Sequence, residues 1–197
     1  MQNLYDVAPL SDKGDPEDGA LYEAVGRALT QWETLEGILA EIFGLLCGAN
    51  LSEGGAIRAY GVVSAFTGRK DMLDAAFEVC PFKEGAEVST LPALLKRAKM
   101  FSARRNEIAH GVVLGVTDKA SFRGYYLVPA HYNSRKREPI SPDQPDFADA
   151  ISRMIFGKYG YTARQIDGYR EQFFHLTSDA SRIAQALFSA RLKQGKH

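Results

Sequence analysis

Cysteine is almost missing from this chain: Cys47 and Cys80 are the only two in 197 residues. Two thiols make neither a disulfide framework nor a zinc site, and they predict reduced core or near-core side chains in a cytoplasm. Excess charge of one sign is missing too, since 24 Lys and Arg balance 24 Asp and Glu. That balance excludes a chain that coats nucleic acid by bulk electrostatics, though it leaves room for a local phosphate site. No apolar run reaches the ~18–20 residues of a membrane span. Met1 to Leu10 carries Asp6 and no basic, apolar leader, which predicts no secretion and no membrane attachment. Gly54-Gly55, Gly61 and Gly68 lack the GKS or GKT ending of a phosphate loop. Ser64 and Ser89 stand in no nucleophile elbow, and His131, His175 and His197 lack metal-ligand spacing. No metal or cofactor is expected.

What is present is helical periodicity. Leu21, Val25, Ala28, Trp32, Leu35, Leu39, Ile42 and Leu46 recur in steps of three and four, which predicts an amphipathic helix over about 18–47. Trp32 belongs to this core stripe rather than to a cofactor site. Ser52 is placed to cap a second helix over about 53–66, Thr67-Gly68 reads as a break, and a third helix covers about 69–79. Ser89 or Thr90 caps a fourth that runs to His110, with Gly111 as its C-terminal cap. Val112–Val116 and Phe122–Val128 read as a hairpin. A short helix is predicted at Phe147–Met154, and Ile155–Tyr161 as a third strand or irregular chain. Thr162 and Gln165 form a capping box before a last helix over about 163–192. The expected fold is mainly α: an antiparallel helical bundle with a small β-hairpin insertion. Residues 1–17 read as a polar lead-in and 18–192 as one helical domain, with a β and loop insertion at 112–160.

The chemistry concentrates in Arg105-Asn106-Glu107-Ile108-Ala109-His110-Gly111. Arginine supplies a permanent charge on a planar donor fork, and histidine a proton switch near neutral pH. At about 100° per residue, Arg105 falls within the inner stripe of Leu94, Ala98, Phe101, Ile108 and Val112. A buried guanidinium needs an acidic partner. Glu36, inward on the first helix beside Leu39 and Phe43, is the expected one, with Glu33 at the stripe's edge as the fallback. His110 lies about 140° from Arg105 but shares a face with Asn106. One regular helix therefore cannot aim Arg105 and His110 at a single phosphate. Either the helix end unwinds at Gly111, or a second copy completes the site across a two-fold axis. A histidine in a last turn also suits the helix dipole and the free carbonyls, which is the simpler role for His110.

The arginine, the following polar Asn106, the histidine and their place at a helix end resemble the R-x(4–6)-H motif of the HEPN superfamily. The 112–160 insertion departs from a compact HEPN bundle. The resemblance implies a homodimer with a composite cleft, acting as a metal-independent endoribonuclease of toxin or defence type. By position, His110 would handle the proton of the attacking 2′-hydroxyl or the leaving group, Arg105 would stabilise the phosphate charge, and Asn106 would orient either. RNA and an antitoxin are the implied partners. Other HEPN-like proteins are non-catalytic interaction, sensor or nucleotide-binding modules, and an Arg105–Glu36 pair would suit that alternative. Arg135-Lys136-Arg137, close after Tyr125, Tyr126 and Tyr132, is a candidate for RNA contact by charge and stacking.

Overall fold

The computed structural model describes residues 4–49, 54–118, 121–130 and 155–194. The fold is mainly α with one hairpin: α1 (Gly19–Leu46), α2 (Gly55–Val62), α3 (Phe66–Glu78), α4 (Leu91–His110), β1 (Gly111–Asp118), β2 (Ser121–Pro129) and α5 (Ala163–Gln194), with a 3₁₀ turn at Val88–Thr90. The expected short helix at 147–154 lies outside the described residues. None of the described helices is long and apolar enough to cross a membrane. The chain divides into two compact units, Met1–Leu29 with Arg104–Arg170 and Thr30–Ala103 with Glu171–His197.

In the second unit the predicted stripes form the core. Trp32 of α1 meets Phe173 of α5 edge-on at 5.0 Å and Phe66 of α3 at 5.4 Å. Each such pair adds about 0.5–1.5 kcal/mol beyond the area it buries. The contact with Trp32 draws Phe66 into α3, so Thr67-Gly68 lies inside that helix instead of breaking the chain. Phe101 packs on Phe173, and Arg97 pairs with Asp179 at 2.7 Å, so α4 runs antiparallel to α5. α1 and α5 run parallel: Trp32 meets Phe173, and further along Arg191 donates to the Leu45 and Leu46 carbonyls at 2.5 and 3.1 Å. Those bonds satisfy carbonyls that the end of α1 leaves open. Cys80 is buried as expected, whereas Cys47, just past α1, is exposed rather than core.

In the first unit β1 and β2 pair antiparallel from Gly111↔Pro129 to Asp118↔Ser121, with a bulge after Val116. Val116, Tyr126, Val128 and Phe156 form a small core with Leu114 and Ile155 against it. The far edge of β2 is paired as well. Asp15 bridges Tyr125, and Tyr161 bridges Leu127 in place of a full third strand. The polar lead-in is thus fastened to β2 at Gly14 and Asp15. Gly14 and Gly124 approach so closely that a Cβ on Gly14 would stand 2.4 Å from the Tyr125 carbonyl oxygen, and Gly124 has φ +118°. Asp15 Oδ2 also accepts the Ala163 N–H at 2.7 Å, which caps α5 from a distant segment. The predicted capping box forms beside it: Thr162 N–H donates to Gln165 Oε1 at 2.9 Å, and Gln165 N–H to Thr162 Oγ1 at 3.4 Å.

Candidate functional site at the end of helix α4

α4 passes into β1 without a linker, and Gly111 makes the junction. A Cβ there would lie 2.7 Å from Leu127 Cγ and 3.1 Å from the Glu107 carbonyl oxygen. Gly111 is thus the first residue of a strand as well as the predicted helix stop, and the helix does not unwind before it. Val112, expected on the inner stripe, stands 36% exposed in β1, because the strand's period of two replaces the helix phase.

Asn106 and His110 are exposed and one turn apart, as the phase predicts. Arg105 is only partly buried, and its Nη1 donates to Asn106 Oδ1 at 3.4 Å. The arginine that α4 buries in this turn is its neighbour, Arg104. Arg104 Nη2 binds Glu107 Oε1 at 2.9 Å, an i,i+3 pair on one helix. The other carboxylate oxygen, Glu107 Oε2, accepts the Tyr161 hydroxyl at 2.6 Å. The Tyr159 hydroxyl donates to the Glu107 main-chain carbonyl at 3.0 Å. The two tyrosine rings stack at 4.9 Å. Burial first, and the Glu107 charge second, push the Tyr159 hydroxyl up to about 12. Burial and then the hydrogen bond to Glu107 push Tyr161 up further. Both hydroxyls are therefore fixed donors at neutral pH.

Glu36 is buried as predicted, and the cation on its carboxylate is Arg69, Nη1 to Oε2 at 3.1 Å. Trp32 Nε1 donates to Oε1 at 3.2 Å and the Tyr60 hydroxyl to Oε2 at 3.3 Å. Arg69 also donates from Nε to the Val63 carbonyl at 2.6 Å and lies over the Tyr60 ring. Arg69 was not foreseen because it follows the Thr67-Gly68 pair that sequence reads as a break. Glu33 is exposed. Tyr132, Arg135, Lys136 and Arg137 lie outside the described residues. Tyr126 is fully buried and offers no face for stacking a base, while Tyr125 is partly buried and packs on Phe122.

Among the described residues no group of three or more His, Cys, Asp or Glu is placed to hold a metal ion. A shallow cleft of about 430 Å³ between Phe82, Val88, Ala186 and Ala190 contains none of the motif residues. No family model, curated protein or solved structure matches this chain.

The sequence motif supplied Arg105, Asn106 and His110 but missed the Glu107 cluster. Arg104 and Glu107 could have been found as an i,i+3 ion pair. Tyr159 and Tyr161 could not, because they lie 52 and 54 positions from Glu107 in the sequence.

Proposed function

We propose that this protein is a HEPN-like, dimeric, metal-independent endoribonuclease of toxin or defence type. The observation that carries the reading is the last turn of α4. It presents Asn106 and His110 to solvent, fastens Arg105 to Asn106, and is gripped from its inner side through Glu107.

In the proposed reaction neutral His110 takes the proton from a ribose 2′-hydroxyl. The freed oxygen attacks the adjacent phosphorus, and the bond to the 5′-oxygen of the next nucleotide breaks. A protonated histidine gives the leaving oxygen its proton. The products are a 2′,3′-cyclic phosphate and a 5′-hydroxyl. Arg105 stabilises the charge on the phosphate, and Asn106 orients His110 or the phosphate. The helix is regular up to His110, so the 140° phase difference favours a second copy as the source of one group, with two α4 ends facing across a two-fold. A nuclease of toxin type also calls for a neutralising protein partner.

The test is RNA cleavage in excess EDTA by wild type, Arg105→Ala and His110→Ala. Wild type should release cyclic-phosphate ends. His110→Ala should lose about 10²–10⁴-fold in rate, as expected for removal of a general acid–base. Full activity in His110→Ala would overturn the assignment. No cleavage by wild type would leave the non-catalytic HEPN-like module.

A further inference from the structure

We propose that Glu107 is a positioning residue for RNA cleavage, held by Arg104, Tyr159 and Tyr161, and that it sets the direction in which Asn106 and His110 face the phosphate. The proposal rests on the RNA-cleaving reading above and adds to the motif a residue that touches no substrate.

The Glu107 side chain is 19% exposed and lies beside buried Arg104 and Ile108, so its charge carries a desolvation cost unless its lone pairs are met. Each oxygen of Glu107 is met by a different group: Oε1 by Arg104 of the same helix, Oε2 by Tyr161 from the segment that leads into α5. The third contact is to the main chain. The last carbonyls of a helix lack intrahelical donors, and Tyr159 supplies one to the Glu107 carbonyl. Residue 107 is therefore held at both its backbone and its side chain, by two stacked rings that leave little room for its donors to shift.

That residue sits between the two exposed polar groups. Asn106 precedes Glu107, and His110 follows it by three positions, so any rotation of the turn about its axis moves both. Productive geometry tolerates roughly 0.5 Å and 10–20°. An imidazole several ångströms off the helix axis exceeds that limit when the turn rotates by a few tens of degrees. Gly111 closes the other end of the same turn against Leu127. The last turn of α4 is thus pinned at Glu107 and at Gly111, with His110 between the pins.

The test compares wild type with Tyr161→Phe, Glu107→Gln and Glu107→Ala. Readouts are steady-state cleavage in EDTA, thermal melting, and the His110 imidazole signals in carbon–proton NMR spectra. Tyr161→Phe keeps the stacked ring and removes one hydrogen bond. It should lower kcat about tenfold with KM within about twofold, and Glu107→Ala about 10²-fold, the scale expected for displacing a catalytic group by ~1 Å. Glu107→Gln keeps an acceptor for Tyr161 and should recover part of the loss. The His110 signals should move in Tyr161→Phe and Glu107→Ala while both proteins stay folded at the assay temperature. Wild-type kcat in both variants, or losses that only follow the unfolded fraction, would overturn the proposal. If wild type itself cleaves nothing, the nuclease reading fails, and the NMR arm still decides whether Glu107 sets His110: unmoved signals would overturn positioning, and shifted signals would support it.

Discussion

Arg104 and Arg105 are adjacent, and the structure buries Arg104 more deeply than the arginine that helix phase places on the inner stripe. Phase puts the Arg105 Cα near the middle of the inner stripe, and the side chain is partly buried, with its Nη1 3.4 Å from Asn106 Oδ1. Arg104, at the stripe's flank, is buried because Glu107 waits one turn along with a carboxylate. A similar difference occurs at Glu36. Its inward direction was legible in the spacing from Trp32, and its partner Arg69 was not, because the chain folds back through α2 and α3 to deliver it. The ion pair has side-chain exposures of only 9% and 20%. Glu36→Ala would strand Arg69 and leave Trp32 and Tyr60 without an acceptor. It should cost about 3–5 kcal/mol, the usual penalty for breaking a buried pair. Urea denaturation checks this, and an unchanged midpoint would show that Glu36 holds nothing.

At the scale of elements, the spacing of apolar residues makes helices legible but not the junctions between them. The stripe of α1 is nearly all core, and the Thr162–Gln165 box caps α5 as expected. Thr162→Ala should therefore cost about 1 kcal/mol, measurable as a lower melting temperature. Gly111 was legible as a helix stop. That a strand begins on the same residue was not, since this depends on Leu127 packing against it from β2. Gly111→Ala would force a methyl group into that contact and should destabilise the fold by about 1–3 kcal/mol. A neutral result in thermal melting would mean that the α4–β1 junction can open without penalty. The lead-in teaches the same lesson. It reads only as polar from composition, yet backbone bonds of Gly14 and Asp15 tie it along β2, and composition carries no trace of backbone pairing.

For the whole molecule, several tyrosines are held neutral by burial. Tyr60, Tyr126, Tyr159 and Tyr161 all have hydroxyls raised above their ordinary value, with Tyr159 at about 12. An unfolded tyrosine loses its proton near 10. Between those values the native state holds more protons than the unfolded chain, so stability falls as pH rises. The contribution of Tyr159 is complete below pH ~10 and is lost as pH climbs to about 12. An absorbance titration of the nine tyrosines should therefore show a group that ionises late or only on alkaline unfolding. A single transition near pH ~10 with the fold intact would contradict the burial described here.

Zero net charge has a bearing on function at this scale as well. A neutral chain gains little from general attraction to RNA, so recognition falls to local groups and to whatever a second copy contributes. Light scattering should therefore find a dimer in the active preparation, and a strictly monomeric active enzyme would require Arg105 and His110 of one chain to reach one phosphate. The most direct measurement remains the cleavage of RNA in EDTA by wild type beside His110→Ala. The account predicts 2′,3′-cyclic phosphate ends from wild type, and a rate lower by about 10²–10⁴-fold in a variant that melts at the same temperature. Equal cleavage by the two proteins, or none by wild type, would contradict it.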